Sequence, residues 1–229
     1  MPLPDIPATE QAVIEMTNAY RRENKLAEVS AHPELTRAAR AYAAYLAKNG
    51  AFSHTADNRD VGARAKASGY EWCSIGENLA MNLNSRGFET RALARQTVDG
   101  WINSPPHKEN LLGRTYTDVG VGVVQAPGTN PKYLTVQVFG RPSSSKFKFE
   151  IANATGQPVL YSFDGAEHQL RPRMSVTHTS CTPGALDFLN PGTKKVAARF
   201  EARDQTIYTL TGTPQKGLKV ELSKREKHD

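Results

Sequence analysis

The sequence predicts an α+β protein: helices packed on a small antiparallel sheet, followed by a smaller all-β domain. Three observations carry that prediction. Apolar residues recur at helical spacing through the N-terminal part of the chain. The period then changes to alternation in "YTDVGVGVVQ" and "KYLTVQVFG", and beyond "RPSSSK" only short strand-like runs between turn signals remain. A length of 229 residues suits one domain of ordinary size with a smaller partner.

Taken in order, "TEQAVIEMTNAYRREN" opens on Thr9, an N-cap candidate, with Glu10 in the first turn; Val13, Met16 and Tyr20, joined by Ile14, give one face of a helix over about 10–24. "HPELTRAARAYAAYLAKNG" places Pro33 in a first turn, spaces Leu35, Ala38, Ala39, Tyr42 and Leu46 by three or four, and closes on Asn-Gly. "DVGARAKASG" fits a third, shorter helix, and "FETRALARQTVDGWINS" a fourth with Leu93, Thr97 and Trp101 on one side, Trp101 reading as core. Val119, Val121 and Val123 alternate before "APGTNP", and Leu134, Val136 and Val138 alternate after it, so the two runs should pair as a hairpin. Gly120 and Gly122 lack the Lys-Ser/Thr ending of a phosphate loop and read as places where a helix or loop packs closely.

These runs define a first domain over 1–141, a linker at 141–146 and a small β sandwich or barrel over 146–229 that ends in the charged "SKREKHD". Its strand candidates are "FKFEIANA", "VLYSF", "MSVTHTS", "KVAARFEA", "TIYTLTG" and "LKVELS", separated by "TGQP", "DG", "TPG", "NPG" and "TPQKG". His168 and His178 in this part read as surface or structural histidines, and "NAT" at 153–155 matches an N-glycosylation acceptor.

Hydrophobic residues make up 38% of the chain, enough for a core, but no apolar run approaches the ~20 residues of a transmembrane helix. The net charge of +6 is scattered or lies in the tail rather than forming a stripe with interleaved aromatics, so there is no specific nucleic-acid signal. "MPLPDIPATE" lacks the basic and apolar regions of a signal peptide, so an exported protein would have lost its leader. Cys73 and Cys181 have no partner at metal-ligand spacing, which excludes a zinc ribbon and a thioredoxin-like motif. They form a disulfide between the two domains, if the protein is exported, or stay as inert buried thiols; "YEWCSIG" reads as a buried approach to the motif that follows.

Three stretches hold the candidate chemistry: "FSHT" with His54, "IGENLA" with Glu77, and "WINSPPHKENLL" with His107. Two neutral imidazoles beside a carboxylate are a minimal zinc site, and the same trio can supply a general base, an orienting acid and an electrostatic stabiliser. A third reading is structural, the three bonding to one another, with Glu77 fixing the loop that begins at Gly76. Asn78 reads as tying down that same loop. Ser104 as N-cap, followed by Pro105 and Pro106, puts His107 in the first turn of a short helix, whose positive end keeps the ring neutral. Spacing alone does not join the three residues.

The motifs do. "FSHT", "GENLA", "WINSPPHKENLL" and "DVGVGVV", in this order after two amphipathic helices, resemble the CAP superfamily (SCP domain: cysteine-rich secretory proteins, antigen 5 and pathogenesis-related 1 proteins), in its bacterial branch, over about residues 9–140. The resemblance implies a CAP-type α-β-α sandwich with an open cleft faced by His54, Glu77 and His107. It also implies a divalent metal, zinc first, on His54 and His107. Animal and plant members carry a second glutamate three residues after the tryptophan; here that position is Ser104, which leaves Asp57, Asp99 or Glu109 as sources of the missing carboxylate. The implied location is extracellular or periplasmic. Two functions stay open: metal-assisted hydrolysis of a cell-wall, peptide or lipid substrate by His54, Glu77 and His107, or non-enzymatic binding of a lipid, glycan or peptide beside a structural or regulatory metal. The β-rich remainder resembles no family that can be named.

Overall fold

Asp5, not Thr9, starts the first helix. In the computed structural model, which describes residues 2–190, 193–213 and 217–224, helix α1 spans Ile6–Glu23, and the Asp5 carboxylate accepts the N–H of Ala8 at 2.9 Å. Thr9 is buried inside the helix, its hydroxyl donating to the Asp5 carbonyl. The cap was hidden because Pro7 falls in the first turn, where its missing N–H does no harm.

Strand β1 (Ser30–Ala31) leads into α2 (Pro33–Asn49), which ends on Gly50 in the left-handed region at φ 62°. Helix α3 (Val61–Ala67), strand β2 (Trp72–Leu83), helices α4 (Thr90–Ile102) and α5 (Pro105–Leu111), and strands β3 (Asp118–Ala126) and β4 (Lys132–Pro142) complete the first unit. The sheet order is β1-β3-β4-β2, with β3 and β4 forming the expected hairpin and β2 antiparallel to β4 at the edge. Strand β2 corrects the sequence reading, which left Gly76 at the start of a loop. Gly76 lies within the strand, where a β-carbon would collide with the Tyr116 hydroxyl.

Alternation sorts the side chains of this sheet into two layers. Val119, Val121, Val123, Tyr133 and Phe139 pack with Val13, Leu93, Val98 and Trp101 on one face; Leu79, Leu134, Val136 and Val138 pack with Leu35, Ala39, Tyr42 and Ala65 on the other. The result is an α-β-α sandwich, the α+β architecture the sequence predicts. Gly120 and Gly122 face α2 so closely that a β-carbon would fall on the backbone of Leu35 and Thr36, or of Ala39 and Arg40. Close approach of a helix is therefore why glycine stands at both.

The chain divides into compact units at Met1–Ser144 and Ser145–Asp229. Arg141 and Pro142, expected in a linker, complete β4, and a 3-10 turn follows at Ser143–Ser145. The second unit holds β5 (Phe147–Asn153), β6 (Val159–Phe163), β7 (Ala166–Leu170), β8 (Ser175–Ser180), β9 (Ala185–Leu189), β10 (Val196–Glu201), β11 (Thr206–Thr213) and β12 (Gly217–Lys224). They form two four-stranded sheets, β10-β9-β6-β7 and β12-β11-β5-β8, whose apolar residues share one core around Phe149, Ile151, Tyr161, Phe188 and Tyr208. Two of these strands escaped the sequence reading. "AEHQL" of β7 is mostly polar, and "ALDFL" of β9 interrupts its apolar run with Asp187, which faces away from Leu186 and Phe188 and is gripped by Arg199 on β10 with bonds of 2.6 and 2.8 Å. The turns expected at 190–192 and 213–217 and the tail beyond 224 lie wholly or partly outside the described residues.

Asn153 is no glycosylation acceptor in this fold. It is 2% exposed, and its amide donates to the carbonyls of Gln157, Leu170 and Arg171. Cys73 and Cys181 are both disulfide-bonded, which removes the buried-thiol alternative.

Candidate functional site

The dipeptide Glu77-Asn78 on β2 is where the site is organised, because consecutive strand residues point to opposite faces. Glu77 turns toward the α2–α3 layer and Asn78 toward α5. The Glu77 carboxylate is 6% exposed and both of its oxygens are engaged: Oε1 with His54 Nδ1 at 2.8 Å, Oε2 with Arg64 Nη2 at 2.7 Å. It therefore accepts side-chain donors rather than backbone N–H groups of a loop.

His54 lies in the turn after α2, its side chain 57% exposed. Tyr42, whose apolar spacing marked it as core, fixes that turn: its hydroxyl donates to the Ser53 carbonyl at 2.5 Å and accepts the N–H of Ala56 at 3.0 Å. The same ring carries the Arg64 guanidinium 3.5 Å above its centre. Burial raises the Tyr42 pKa, partly offset by the Ala56 N–H and the Arg64 charge.

Arg64, on α3, is the residue the sequence reading missed. It is 5% exposed, and besides Glu77 it binds the Asp57 carboxylate at 3.0 Å and the Arg59 carbonyl at 2.6 Å. A buried guanidinium needs such partners, since removing two charges from water costs several kcal/mol per ion unless they are paired and hydrogen-bonded. Its only sequence signal was an arginine three residues after Val61, on the apolar side of a short helix. Asp57 is accordingly occupied by Arg64 and Arg59. Burial pushes its pKa up, but the Arg59 N–H and the two guanidinium groups outweigh that and hold the carboxyl below the ordinary aspartate range.

His107 lies in the first turn of α5. Ser104 does occupy the N-cap position, but its hydroxyl makes no bond to the helix backbone; it meets His107 Nδ1 at 2.8 Å. Ser104, at the position of the absent glutamate, thus holds the second histidine directly. Asp99 and Glu109 are exposed, and among the described residues neither they nor Asp57 bonds to either histidine. The His107 pKa is lowered by burial first and by the charge of His54 second. Both effects disfavour the charged ring, the direction the sequence reading expected from the helix end.

Asn78, fully buried, tethers α5 to the strand. Its amide donates to the His107 carbonyl at 3.2 Å and to Gln137 at 3.3 Å, while Asn110 donates to the Asn78 side chain and the Glu77 carbonyl, each at 3.0 Å. The structure therefore joins His54 to Glu77 directly and ties the His107 helix to the same two strand residues, with no direct hydrogen bond from His107 to His54 or Glu77.

The outer edge of β2 is closed by side chains. The carbonyls of Ile75, Glu77 and Leu79 accept from Tyr116 (3.4 Å), Asn110 (3.0 Å) and the Trp101 indole (2.9 Å). A cavity of about 220 Å³ lies on the Arg64 side of the network, lined by Tyr42, Tyr45, Asp57, Arg59 and Arg64 among others.

The donor chemistry of the histidines fits a metal. Each imidazole has its Nδ1 against an oxygen, and no hydrogen bond engages either Nε2 among the described residues. This is the usual arrangement of ligating histidines, in which the second nitrogen is held by an orienting partner. No group of three or more His, Cys, Asp or Glu is gathered for a metal among the described residues.

The model of the cysteine-rich secretory protein family, CAP, matches residues 14–139. The uncharacterised protein YkwD of Bacillus subtilis (strain 168) is 29% identical over 125 residues, 53% of this chain and 44% of its own length. The uncharacterised membrane protein YlbC of the same organism is 27% identical over 116 residues, 50% of this chain and 31% of its own length. The chain thus spans less than half the length of these curated relatives. Among solved structures, an outer surface protein of Borrelia burgdorferi superimposes with a TM-score of 0.51 at 20% identity, covering 59% of this chain and 93% of that one, a likeness of fold. An extracellular SCP-domain protein of Bacillus anthracis gives a TM-score of 0.49 at 24% identity over 59% of this chain and 41% of its own.

Proposed function

The chain belongs to the cysteine-rich secretory protein (CAP) family, and we propose that it is an exported binding module whose His54 and His107 hold a divalent metal, zinc first. One observation supports binding over general-base chemistry at Glu77: both carboxylate oxygens are engaged, one by His54 and one by Arg64. With both oxygens already bonded, the carboxylate orients the His54 imidazole and has no oxygen turned to a substrate. Glu77 then holds the His54 ring, Ser104 holds the His107 ring, and the two Nε2 atoms are the ligands. When bound, the metal supplies Lewis-acid polarisation to an oxygen of a cell-wall glycan, peptide or lipid ligand. Export is supported by the disulfide-bonded state of both cysteines, since such bonds persist in oxidising compartments.

The second reading, hydrolysis, rests on His107. With its pKa lowered and its Nε2 uncommitted, the neutral ring is suited to take a proton from an attacking nucleophile. Metal analysis decides the first reading: His54→Ala and His107→Ala should each remove one equivalent of zinc per chain while far-UV circular dichroism stays unchanged. Unaltered zinc content in both folded variants would refute it, and loss of fold in both would favour the bracing role. Turnover of peptidoglycan fragments, peptides or lipid esters that vanishes in folded His107→Ala would replace binding by hydrolysis.

A further inference from the structure

The sequence reading treated His168 and His178 as unrelated; the fold brings them together. His168 lies on β7 and His178 on β8, the edge strands of the two different sheets of the second unit, and their ring centres are 5.4 Å apart. One tyrosine orients both. The Tyr161 hydroxyl meets His178 Nε2 at 2.8 Å, and the Tyr161 ring stacks on His168 at 5.0 Å with 24° between the planes. Phe149 stacks on the other imidazole at 5.0 Å and 14°. Tyr161 is 3% exposed and Phe149 2%, so both supports are fixed in the core.

We propose that His168 and His178 form a metal clip, binding one late first-row divalent cation such as Zn²⁺ or Cu²⁺ between the edges of the two sheets. With Nε2 of His178 on the tyrosine oxygen, its Nδ1 is the nitrogen left for a ligand, and Tyr161 plays the part of the orienting partner. No hydrogen bond engages that Nδ1 or either nitrogen of His168 among the described residues. Two imidazoles sharing one ion at metal–nitrogen distances of about 2.0 Å place their ring centres roughly 5 Å apart, which the observed spacing matches. Imidazole donors select zinc, copper and nickel over magnesium and calcium, and water completes the coordination. The ion would join the two sheets across the corner where the chain passes from β7 to β8.

The test uses the tag-free full chain carrying His54→Ala and His107→Ala, so that failure of the first site and of this one are separable. Calorimetric titration with ZnCl₂ and with CuCl₂ at neutral pH should show one equivalent bound and a raised unfolding temperature, since an ion that binds only the folded state stabilises it. Adding His168→Phe, which keeps a ring on Tyr161 but removes both nitrogens, should abolish uptake. Tyr161→Phe keeps both ligands and should weaken binding about 10–100-fold. No uptake by the His54→Ala/His107→Ala chain, or uptake undiminished by a folded His168→Phe, overturns the proposal. Should His168→Phe not fold, Cu²⁺ broadening of the His168 and His178 NMR resonances in the unaltered chain decides: broadening supports the clip, and resonances left sharp sink it.

Discussion

The two units of this chain each hold a pair of histidines, and they keep them in opposite ways. His54 and His107 take their orientation from oxygens, and behind His54 stands a buried chain of charges from Glu77 through Arg64 to Asp57. His168 and His178 take theirs from rings, with one phenol hydroxyl as the sole polar support among the described residues. A charged support is strong only while complete, because each buried ion depends on its partners. An aromatic support is a sum of contacts worth about 0.5–1.5 kcal/mol apiece, so losing one removes little.

The contrast makes a graded set of predictions. Arg64→Leu strands two buried carboxylates and should cost about 3–5 kcal/mol in denaturant unfolding; a loss under about 1 kcal/mol would mean that the network contributes no more than a surface ion pair. Tyr161→Phe removes one hydrogen bond and keeps the ring, so its cost should be about 0.5–1.5 kcal/mol. Equal costs for the two would end the comparison. His54→Ala removes a mostly exposed ring and should shift stability by about 0.5 kcal/mol or less, while metal uptake falls. The smallest effect is in acid. Asp57 and, through Arg199, Asp187 have folded-state pKa values below the ordinary one. Each therefore adds stability that is present above about pH 4 and lost as pH falls through its folded value. Urea midpoints below about pH 4 should show a shallower acid decline in Asp57→Asn and in Asp187→Asn than in the parent chain, and an unchanged decline would contradict the assignment.

What the sequence disclosed follows the range of the interactions. Helices α2 and α4 and the β3–β4 hairpin were legible because their apolar periods are local. Strand β2 was not, since Glu77, Asn78 and Asn82 find their partners on Arg64, His107 and Thr97, far along the chain. The four-motif resemblance named the family whose model matches residues 14–139. Arg64 stayed hidden because a buried arginine is identified by the groups that neutralise it, and these come from other segments. The nearness of His168 and His178 stayed hidden for the same reason: β7 was not seen as a strand, so nothing suggested that its edge meets that of β8.

The closed edge of β2 has a further consequence. Tyr116, Asn110 and Trp101, which cover the strand's carbonyls, flank His107 within one stretch of chain. An uncovered edge strand is a template on which a second molecule can extend the sheet. Any insertion, truncation or cleavage that lifts this stretch away would dismantle the histidine pair and at the same time expose a sticky border, so damaged copies should self-associate where intact ones stay dispersed. Loss of the site would then be visible as turbidity in a concentrated sample before any ligand is known.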